Sequence, residues 1–178
     1  MREGDILFQT SESAQAEAIG LATHSQYTHC GVLLKENNEW VVLEAVQPVK
    51  KTPLKTWIAH GKNHKYAVRR LKNAENILSS NIILQMHDKA KKYVGKDYDI
   101  YFGWSDSQIY CSELVWKIFQ TTTALEIGKL QTLRAMDLKS PLVQKQLTAR
   151  YGNKIPYDEP IISPQAVYES ALLETVVY

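Results

Sequence analysis

The stretch SQIYCSELVWKIF, residues 107–119, places Cys111 directly before an amphipathic run. Apolar residues in this run recur at helical spacing, so we predict a helix that starts close to Cys111. The unpaired N–H groups and the dipole of a helix N-terminus lower the pKa of a thiol and favour the nucleophilic thiolate. Free cysteines are also among the most buried residues, so this position fits a nucleophile or a core residue. A nucleophile would need a base beside it.

His29 is the candidate base among the five histidines. It begins a strand-like run, HCGVLL, whereas the other four histidines lie in polar stretches, at a helix end or on a surface helix. Gly31 follows within the same run, and a glycine inside a strand often marks a close approach by another element. We expect the helix that carries Cys111 to be that element.

A hairpin would place an acid beside His29. The runs HCGVLL (29–34) and EWVVLEAV (39–46) are separated by KENN, which favours a tight turn. If the turn is centred between Asn37 and Asn38, paired residues sum to 75, and His29 and Glu44 become diagonal neighbours on one face. Diagonal Cβ atoms are ~7 Å apart, within reach of a hydrogen bond. Glu44 would then orient the imidazole, whereas an odd-length loop would put it on the opposite face.

The same alternation predicts that Cys30 points away from a site that contains His29. We therefore expect Cys30 to be a core residue. A disulfide between Cys30 and Cys111 conflicts with His29 acting on Cys111. A zinc site from His24, His29, Cys30 and Cys111 meets the same obstacle and lacks CxxC or HxxxH spacing. No metal and no cofactor are expected.

Length and composition fit one α+β domain over residues 1–178, with 44% hydrophobic residues. The predicted strands lie near 5–9, 29–34, 39–46 and 65–71 and would form a small antiparallel, barrel-like sheet. The predicted helices cover 11–23, one turn around Trp57, 74–95 and the segment from Cys111. The last third is rich in proline and is predicted to form loops with short helices, one of which begins after Ser163.

The charge pattern argues against nucleic-acid binding, because 21 basic and 19 acidic residues are spread along the chain. The modest cluster at Lys89, Lys91 and Lys92 is typical of a solvated helix face. No apolar run approaches the ~20 residues that span a bilayer. The start MREGDILF enters a strand at once and does not resemble a signal peptide. A cytoplasmic protein and a mature exported chain both fit, and we favour a periplasmic or cell-envelope location.

Five motifs occur in a characteristic order: GDILF (4–8), THCGVLL (28–34), VVLEAV (41–46), GKDYD (95–99) and YCSELVWKIF (110–119). Together they resemble the YiiX/YebB-like cysteine hydrolases, a circularly permuted branch of the NlpC-type, papain-like superfamily. In ordinary NlpC-type enzymes the cysteine motif comes first, whereas here it follows the GD and HxG motifs. The resemblance covers a motif core of about 3–120. The extension of about 121–178 carries a tail that is also similar to that of YiiX-type proteins.

The resemblance implies a permuted papain-like fold and cleavage of an amide bond in a peptide or a cell-envelope amide. It also implies Cys111 as nucleophile, His29 as base and Glu44 as the polar third member, without a cofactor. The backbone N–H of Cys111 and a second donor would stabilise the oxyanion. Two departures favour the permuted branch: Tyr110 replaces the Asp that often precedes the nucleophile, and Glu113 replaces the Gly of the CSGL motif.

Other functions stay open. A thiol-dependent acyltransferase or lipid-ester hydrolase, as found among permuted relatives, predicts an apolar channel at the site. A non-catalytic binding module predicts a Cys111 of ordinary reactivity, and a redox or metal sensor predicts Cys30 and Cys111 close together. The substrate would be a small peptide, amide or acyl ester. Four aromatic residues are predicted to line its cleft: Tyr27, Tyr98, Trp104 and Tyr110.

Overall fold

A computed structural model describes residues 1–176 of the 178-residue chain. The eight strands are β1 (Ile6–Gln9), β2 (His29–Glu36), β3 (Glu39–Glu44), β4 (Lys50–Pro53), β5 (Tyr66–Leu71), β6 (Gln131–Thr132), β7 (Pro160–Ile161) and β8 (Leu173–Val176). Six of them form an antiparallel sheet in the order β4-β3-β2-β1-β5-β8, and β6 pairs with β7. This sheet confirms the predicted α+β class. The prediction missed β4 and β8, which are the two edge strands and carry charged residues, as edges often do.

Residues 1–176 contain seven α-helices: α1 (Ala14–Thr23), α2 (Leu54–His60), α3 (Ala74–Ile77), α4 (Ser80–Tyr93), α5 (Cys111–Thr123), α6 (Pro141–Tyr151) and α7 (Pro164–Tyr168). The single helix predicted over 74–95 is wrong, because Ser79 interrupts it. The Ser79 hydroxyl accepts a hydrogen bond from the N–H of Ile82 and starts a new helix, α4. The helix predicted after Ser163 is present as α7. No helix described over residues 1–176 is long and apolar enough to cross a bilayer.

The hairpin between β2 and β3 has the predicted register. Asn37 and Asn38 form its turn with positive φ angles of 47° and 70°, which is typical of a two-residue type I′ hairpin. Val32 pairs with Leu43, so paired residues sum to 75 as expected. In this register position 29 lies opposite position 46, two residues from Glu44, so His29 and Glu44 are on the same face of the sheet.

The two faces of the sheet pack against different helices. Cys30, Val32 and their neighbours on one face belong to the main core, together with buried residues of α4 and α5. The opposite face packs around Trp57 of α2. A third apolar cluster joins α1 to α6. The start of α5 therefore lies against the β2 strand, within reach of the hairpin residues.

Gly31 marks a close approach, but its neighbour is β3 and not the helix that we expected. A Cβ atom at Gly31 would lie 2.5 Å from Cγ1 of Val42 and 2.7 Å from the carbonyl oxygen of Leu43. The missing side chain thus lets β3 come close to β2 just before Glu44. The prediction of a close contact was right, and its assignment to the Cys111 helix was wrong.

Candidate active site

Cys111 is the first residue of α5, as the sequence predicted, and its side chain is buried. Two hydrogen bonds fix this end of the helix to the segment before α7. The Tyr110 hydroxyl accepts from the N–H of Ile162 at 3.1 Å, and the Ser112 hydroxyl donates to the carbonyl of Ile162 at 2.8 Å. Cys111 therefore lies where the helix N-terminus favours a negative charge.

His29 and Glu44 form the predicted hydrogen bond across the hairpin. Nε2 of His29 lies 2.6 Å from Oε2 of Glu44, and both residues are buried. The second oxygen of Glu44, Oε1, accepts a hydrogen bond from the hydroxyl of Thr52 at 2.5 Å. Both carboxylate oxygens are thus held. The sequence analysis missed Thr52 because it lies on β4, an edge strand without a clear hydrophobic alternation.

His29 also interacts with Cys111, whose hydrogen bonding and charge act on the pKa of the imidazole. Since Nε2 is bound to Glu44, the nitrogen left for the sulfur is Nδ1. Burial opposes a charge on the imidazole, but the hydrogen bonds and charges of Cys111 and Glu44 outweigh it and raise the pKa of His29 from 6.5 to about 10. The imidazolium is therefore the favoured form at neutral pH.

Cys30 also contacts Cys111, which corrects our expectation that it points away from the site. Its thiol and its backbone N–H both interact with the Cys111 sulfur and lower the pKa of Cys111. The alternation itself was right: Cys30 faces the main core, whereas the ring of His29 lies 6.2 Å from that of Trp57 on the other side. Our error was to assume that Cys111 must lie on the face of His29.

Both side chains reach Cys111 because β2 is open at this point. The pairing of β2 with β3 begins only at Val32, so the N–H of Cys30 has no partner in β3 and instead meets the Cys111 sulfur. Cys111 thus lies beside the end of β2 that β3 leaves unpaired. From there it can contact His29 on one face and Cys30 on the other.

The two thiols have opposite pKa shifts. Hydrogen bonds from the Cys30 thiol, from His29 and from the Cys30 backbone overcome the burial of Cys111 and hold its pKa well below the ordinary 9.0. Burial and the neighbouring charge of Cys111 raise the pKa of Cys30 well above 9.0. Cys30 is therefore the protonated donor and Cys111 the thiolate.

The four aromatic residues predicted to line a substrate cleft do not lie together. Tyr110 lines a cavity that contains Cys111. Burial of the ring and then the charge of Cys111 raise the pKa of the Tyr98 phenol. Trp104 packs on Trp116, with ring centroids 5.3 Å apart, and lines a separate hollow. Tyr27 stacks on Tyr168 at 4.4 Å, and neither ring lines the Cys111 cavity.

The C-terminal third of the chain builds that cavity, which has a volume of about 90 Å³. Its walls come from α1, α6, the segment before α6, the segment before α7 and the start of α5. Most of the lining side chains are apolar, among them Ala18, Ala22, Leu133, Leu138, Val143 and Leu147. Cys111 and Ser112 form one part of the wall. An apolar space therefore opens beside the candidate nucleophile.

Two residues that line this cavity, Gln15 and Arg150, belong to a polar chain that also includes Tyr98. Nη2 of Arg150 donates to Oε1 of Gln15 at 3.3 Å, and Nε2 of Gln15 donates to the hydroxyl of Tyr98 at 3.0 Å. The guanidinium of Arg150 also lies over the ring of Phe102, 5.0 Å from its centroid. Sequence analysis missed Arg150 and Gln15, because both residues lie far from Cys111 in the chain.

Glu113, which replaces a glycine of the NlpC-type motif, stabilises the start of α5. Its Oε2 accepts a hydrogen bond from the N–H of Tyr110 at 3.3 Å, and its Oε1 lies 2.8 Å from Nζ of Lys117. Burial outweighs these contacts and raises the pKa of Glu113 to about 7. This carboxylate is not in contact with His29 or Glu44.

Over residues 1–176, no group of three or more His, Cys, Asp or Glu side chains is arranged to hold a metal ion. The two thiols and His29 come together, but Nε2 of His29 is bound to Glu44. His24 instead pairs with Asp137, 3.2 Å from its carboxylate.

Comparisons with known proteins agree with this architecture. A family model described as "Permuted papain-like amidase enzyme, YaeF/YiiX, C92 family" matches residues 1–177. Protein YiiX of Escherichia coli strain K12 is 49% identical over 173 residues, which covers 97% of this chain and 84% of YiiX. A crystal structure of YiiX from Escherichia coli O157:H7, described as a metalloprotein, matches with a TM-score of 0.94 and 49% identity, over 99% of this chain and 96% of that one.

These matches confirm the resemblance and the permuted papain-like fold that the motif order predicted. They also support a papain-like hydrolase of the amidase type. The chain belongs to the YaeF/YiiX family of permuted papain-like amidases, the C92 family.

Proposed function

We propose that the protein hydrolyses an amide bond through a thioester intermediate on Cys111, with His29 as acid and base and Glu44 as the residue that orients His29. The observation that carries this proposal is the hydrogen-bonded chain from His29 through Glu44 to Thr52, together with the interaction of His29 with Cys111. The opposite pKa shifts of Cys111 and His29 support a thiolate–imidazolium pair at neutral pH.

In the proposed reaction, the Cys111 thiolate attacks the amide carbonyl carbon, and the carbonyl π electrons move to the oxygen. The oxyanion re-forms the carbonyl as the C–N bond breaks, while the imidazolium of His29 gives its Nδ1 proton to the leaving amine. Water then attacks the thioester, and Nδ1 accepts the proton of that water. Loss of the thiolate releases the acid and restores the pair.

The oxyanion would form beside the first N–H groups of α5 and near Tyr98. The hydroxyl of Tyr98 accepts a hydrogen bond from Gln15, so its own proton is free to point to another acceptor. We propose that Tyr98 is the second oxyanion donor, next to the backbone N–H of Cys111. This role would make Tyr98 part of the site without direct contact to His29.

Replacing Tyr98 with phenylalanine should lower kcat by about 100-fold, because removal of one oxyanion donor commonly has that effect. The ring remains, so the fold and the alkylation rate of Cys111 should stay close to those of the wild type. Steady-state kinetics and thiol alkylation measure the two quantities separately. An unchanged kcat would remove Tyr98 from the oxyanion site.

The pH dependence of iodoacetamide alkylation tests the activated thiolate, with mass spectrometry to locate the label. We expect fast labelling of Cys111 well below about pH 8, because only the thiolate reacts. His29→Ala should abolish this fast phase, and Cys30 serves as an internal control that stays unlabelled in the folded protein. Slow labelling with the pH profile of a free thiol, unchanged by His29→Ala, would favour the non-catalytic binding module.

A sensor that uses both thiols is a second candidate, because Cys30 and Cys111 are in contact. Oxidation by dilute peroxide would then join them in a disulfide, which peptide mapping detects. A hydrolase in which Cys30 only donates a hydrogen bond should keep turnover in Cys30→Ala, whereas a two-thiol sensor should lose its response. We assign no metal a part in either reaction, although one YiiX structure is described as a metalloprotein, because the described side chains do not form a metal site.

A further inference from the structure

Glu113 carries a fully buried carboxyl group two residues after Cys111. A carboxylate offers about four lone-pair sites, and a buried one is stable only where hydrogen bonds or cations fill them. The described contacts of Glu113 are the N–H of Tyr110, 3.3 Å from Oε2, and Nζ of Lys117, 2.8 Å from Oε1. The hydrogen bond is long, so the negative charge of an ionised Glu113 depends on Lys117.

Lys117 is shared between Glu113 and a second acid. Its Nζ also lies 2.7 Å from Oδ1 of Asp106 and donates to the carbonyl of Ser105 at 3.0 Å. The ammonium group is fixed further by the ring of Trp104, whose centroid lies 5.2 Å away. Water can solvate the exposed carboxylate of Asp106, whereas Glu113 is shielded from water. As the pH falls, Glu113 is therefore the first of the two acids to lose its charge.

The charge of Glu113 changes near neutral pH. Burial raises its pKa from 4.5 to about 7 against the opposing effect of Lys117. Between these pH values the folded chain keeps a proton that the unfolded chain has lost, so the free energy of unfolding falls as the pH rises. The other titratable groups around Glu113 come from α4, from the loop before α5 and from the start of α5: Tyr93, Asp99, Asp106, Tyr110 and Lys117.

We infer that Glu113 is a positioning residue that holds Cys111 in place when it is neutral and loosens the first turn of α5 when it is ionised. A neutral Glu113 still accepts the Tyr110 N–H and needs no cation, while Lys117 keeps Asp106 as its partner. An ionised Glu113 is drawn toward water, which it reaches when the first turn of α5 opens. This inference rests on the proposed function, because the switch affects turnover only where Cys111 is the nucleophile.

Hydrogen exchange at the Leu114 amide, followed by NMR, measures this opening without a substrate. The Leu114 N–H donates to the carbonyl of Tyr110 at 2.9 Å and closes the first turn of α5. In the wild type we expect its protection factor to fall about fivefold from about pH 6 to about pH 8, the change that corresponds to the loss of one helix cap. Glu113→Gln keeps an acceptor for Tyr110 but cannot ionise, so its protection factor should stay at the higher value throughout. The kcat of the wild type should fall with the same midpoint.

Three further variants separate this switch from a purely structural role of Glu113. Lys117→Met removes the cation that favours the ionised form, so the step in protection should move to higher pH. Asp106→Asn leaves Lys117 to Glu113 alone, so the step should move to lower pH. Asp88→Asn is the matched control, because Asp88 also pairs with a helical lysine, Lys91 at 3.0 Å, but both side chains are exposed. It should leave the step in place.

The two proposals fail in different measurements. A protection factor that stays constant in the wild type, or a step that persists in Glu113→Gln, would overturn the role of Glu113. Iodoacetamide alkylation of Cys111 at the lower pH tests the proposed function separately. Fast labelling would leave that function intact even where the step is absent, and an unreactive Cys111 would remove it even where the step is present.

Discussion

Cys111→Ala should lower the turnover of any hydrolysed amide by at least about 10⁴-fold, because removal of a nucleophile leaves only binding and oxyanion stabilisation. Cys30→Ala removes a thiol in the same way, but at the residue that neighbours Cys111. We expect it to keep turnover within about tenfold of the wild type, since Cys30 donates a hydrogen bond to the thiolate and takes no part in bond making.

The pair of variants also separates the two thiols by their pH dependence. The Cys30 hydrogen bond lowers the pKa of Cys111, so its loss should raise that pKa and move the acid limb of kcat/KM to higher pH. Steady-state kinetics over a pH series measures both effects, and circular dichroism controls for folding. If Cys30→Ala eliminated turnover and Cys111→Ala did not, Cys30 would be the nucleophile and Cys111 would not.

Glu44→Gln should lower kcat by about 10²- to 10⁴-fold, in line with the loss seen when the acid of a catalytic triad becomes an amide. The Glu44 carboxylate helps to raise the pKa of His29 to about 10, and a neutral amide cannot. The pKa of His29 should therefore fall, and the alkaline limb of the rate profile should move to lower pH. A smaller fraction of His29 is then protonated to stabilise the Cys111 thiolate. The pKa of Cys111 should therefore rise, and the acid limb should move to higher pH.

The active pH range of Glu44→Gln should thus become narrower from both sides. Two variants provide controls in the same measurement. Glu36→Gln changes a carboxylate at the other end of the same β2 strand, where it pairs with Lys51, and should leave both limbs in place. Thr52→Val removes only the hydrogen bond to Oε1 of Glu44 and should have a smaller effect in the same direction. If the acid and alkaline limbs of the rate profile stayed in place in Glu44→Gln, Glu44 would have no influence on the pKa values of Cys111 and His29.

Local patterns determined the parts of the candidate site that lie within one hairpin or one helix. The Asn37–Asn38 turn fixes the register of β2 and β3, and strand alternation then puts His29 and Glu44 on one face. Helical spacing after Cys111 likewise locates the start of α5. These features depend on residues close in sequence, so periodicity and turn chemistry suffice to predict them.

The tertiary structure decided the rest, because it depends on where separate elements meet. Cys111 lies beside the unpaired end of β2, which brings Cys30 into contact with it against our expectation. Thr52 enters from an edge strand without a hydrophobic pattern, and Arg150 enters from α6, 39 positions after Cys111. Neither strand alternation nor helical period carries information on such contacts. The sequence alone therefore determined the local geometry of His29, Glu44 and the start of α5, whereas packing between elements determined the cavity, the Cys30 contact and the presence of Arg150 in the cavity wall.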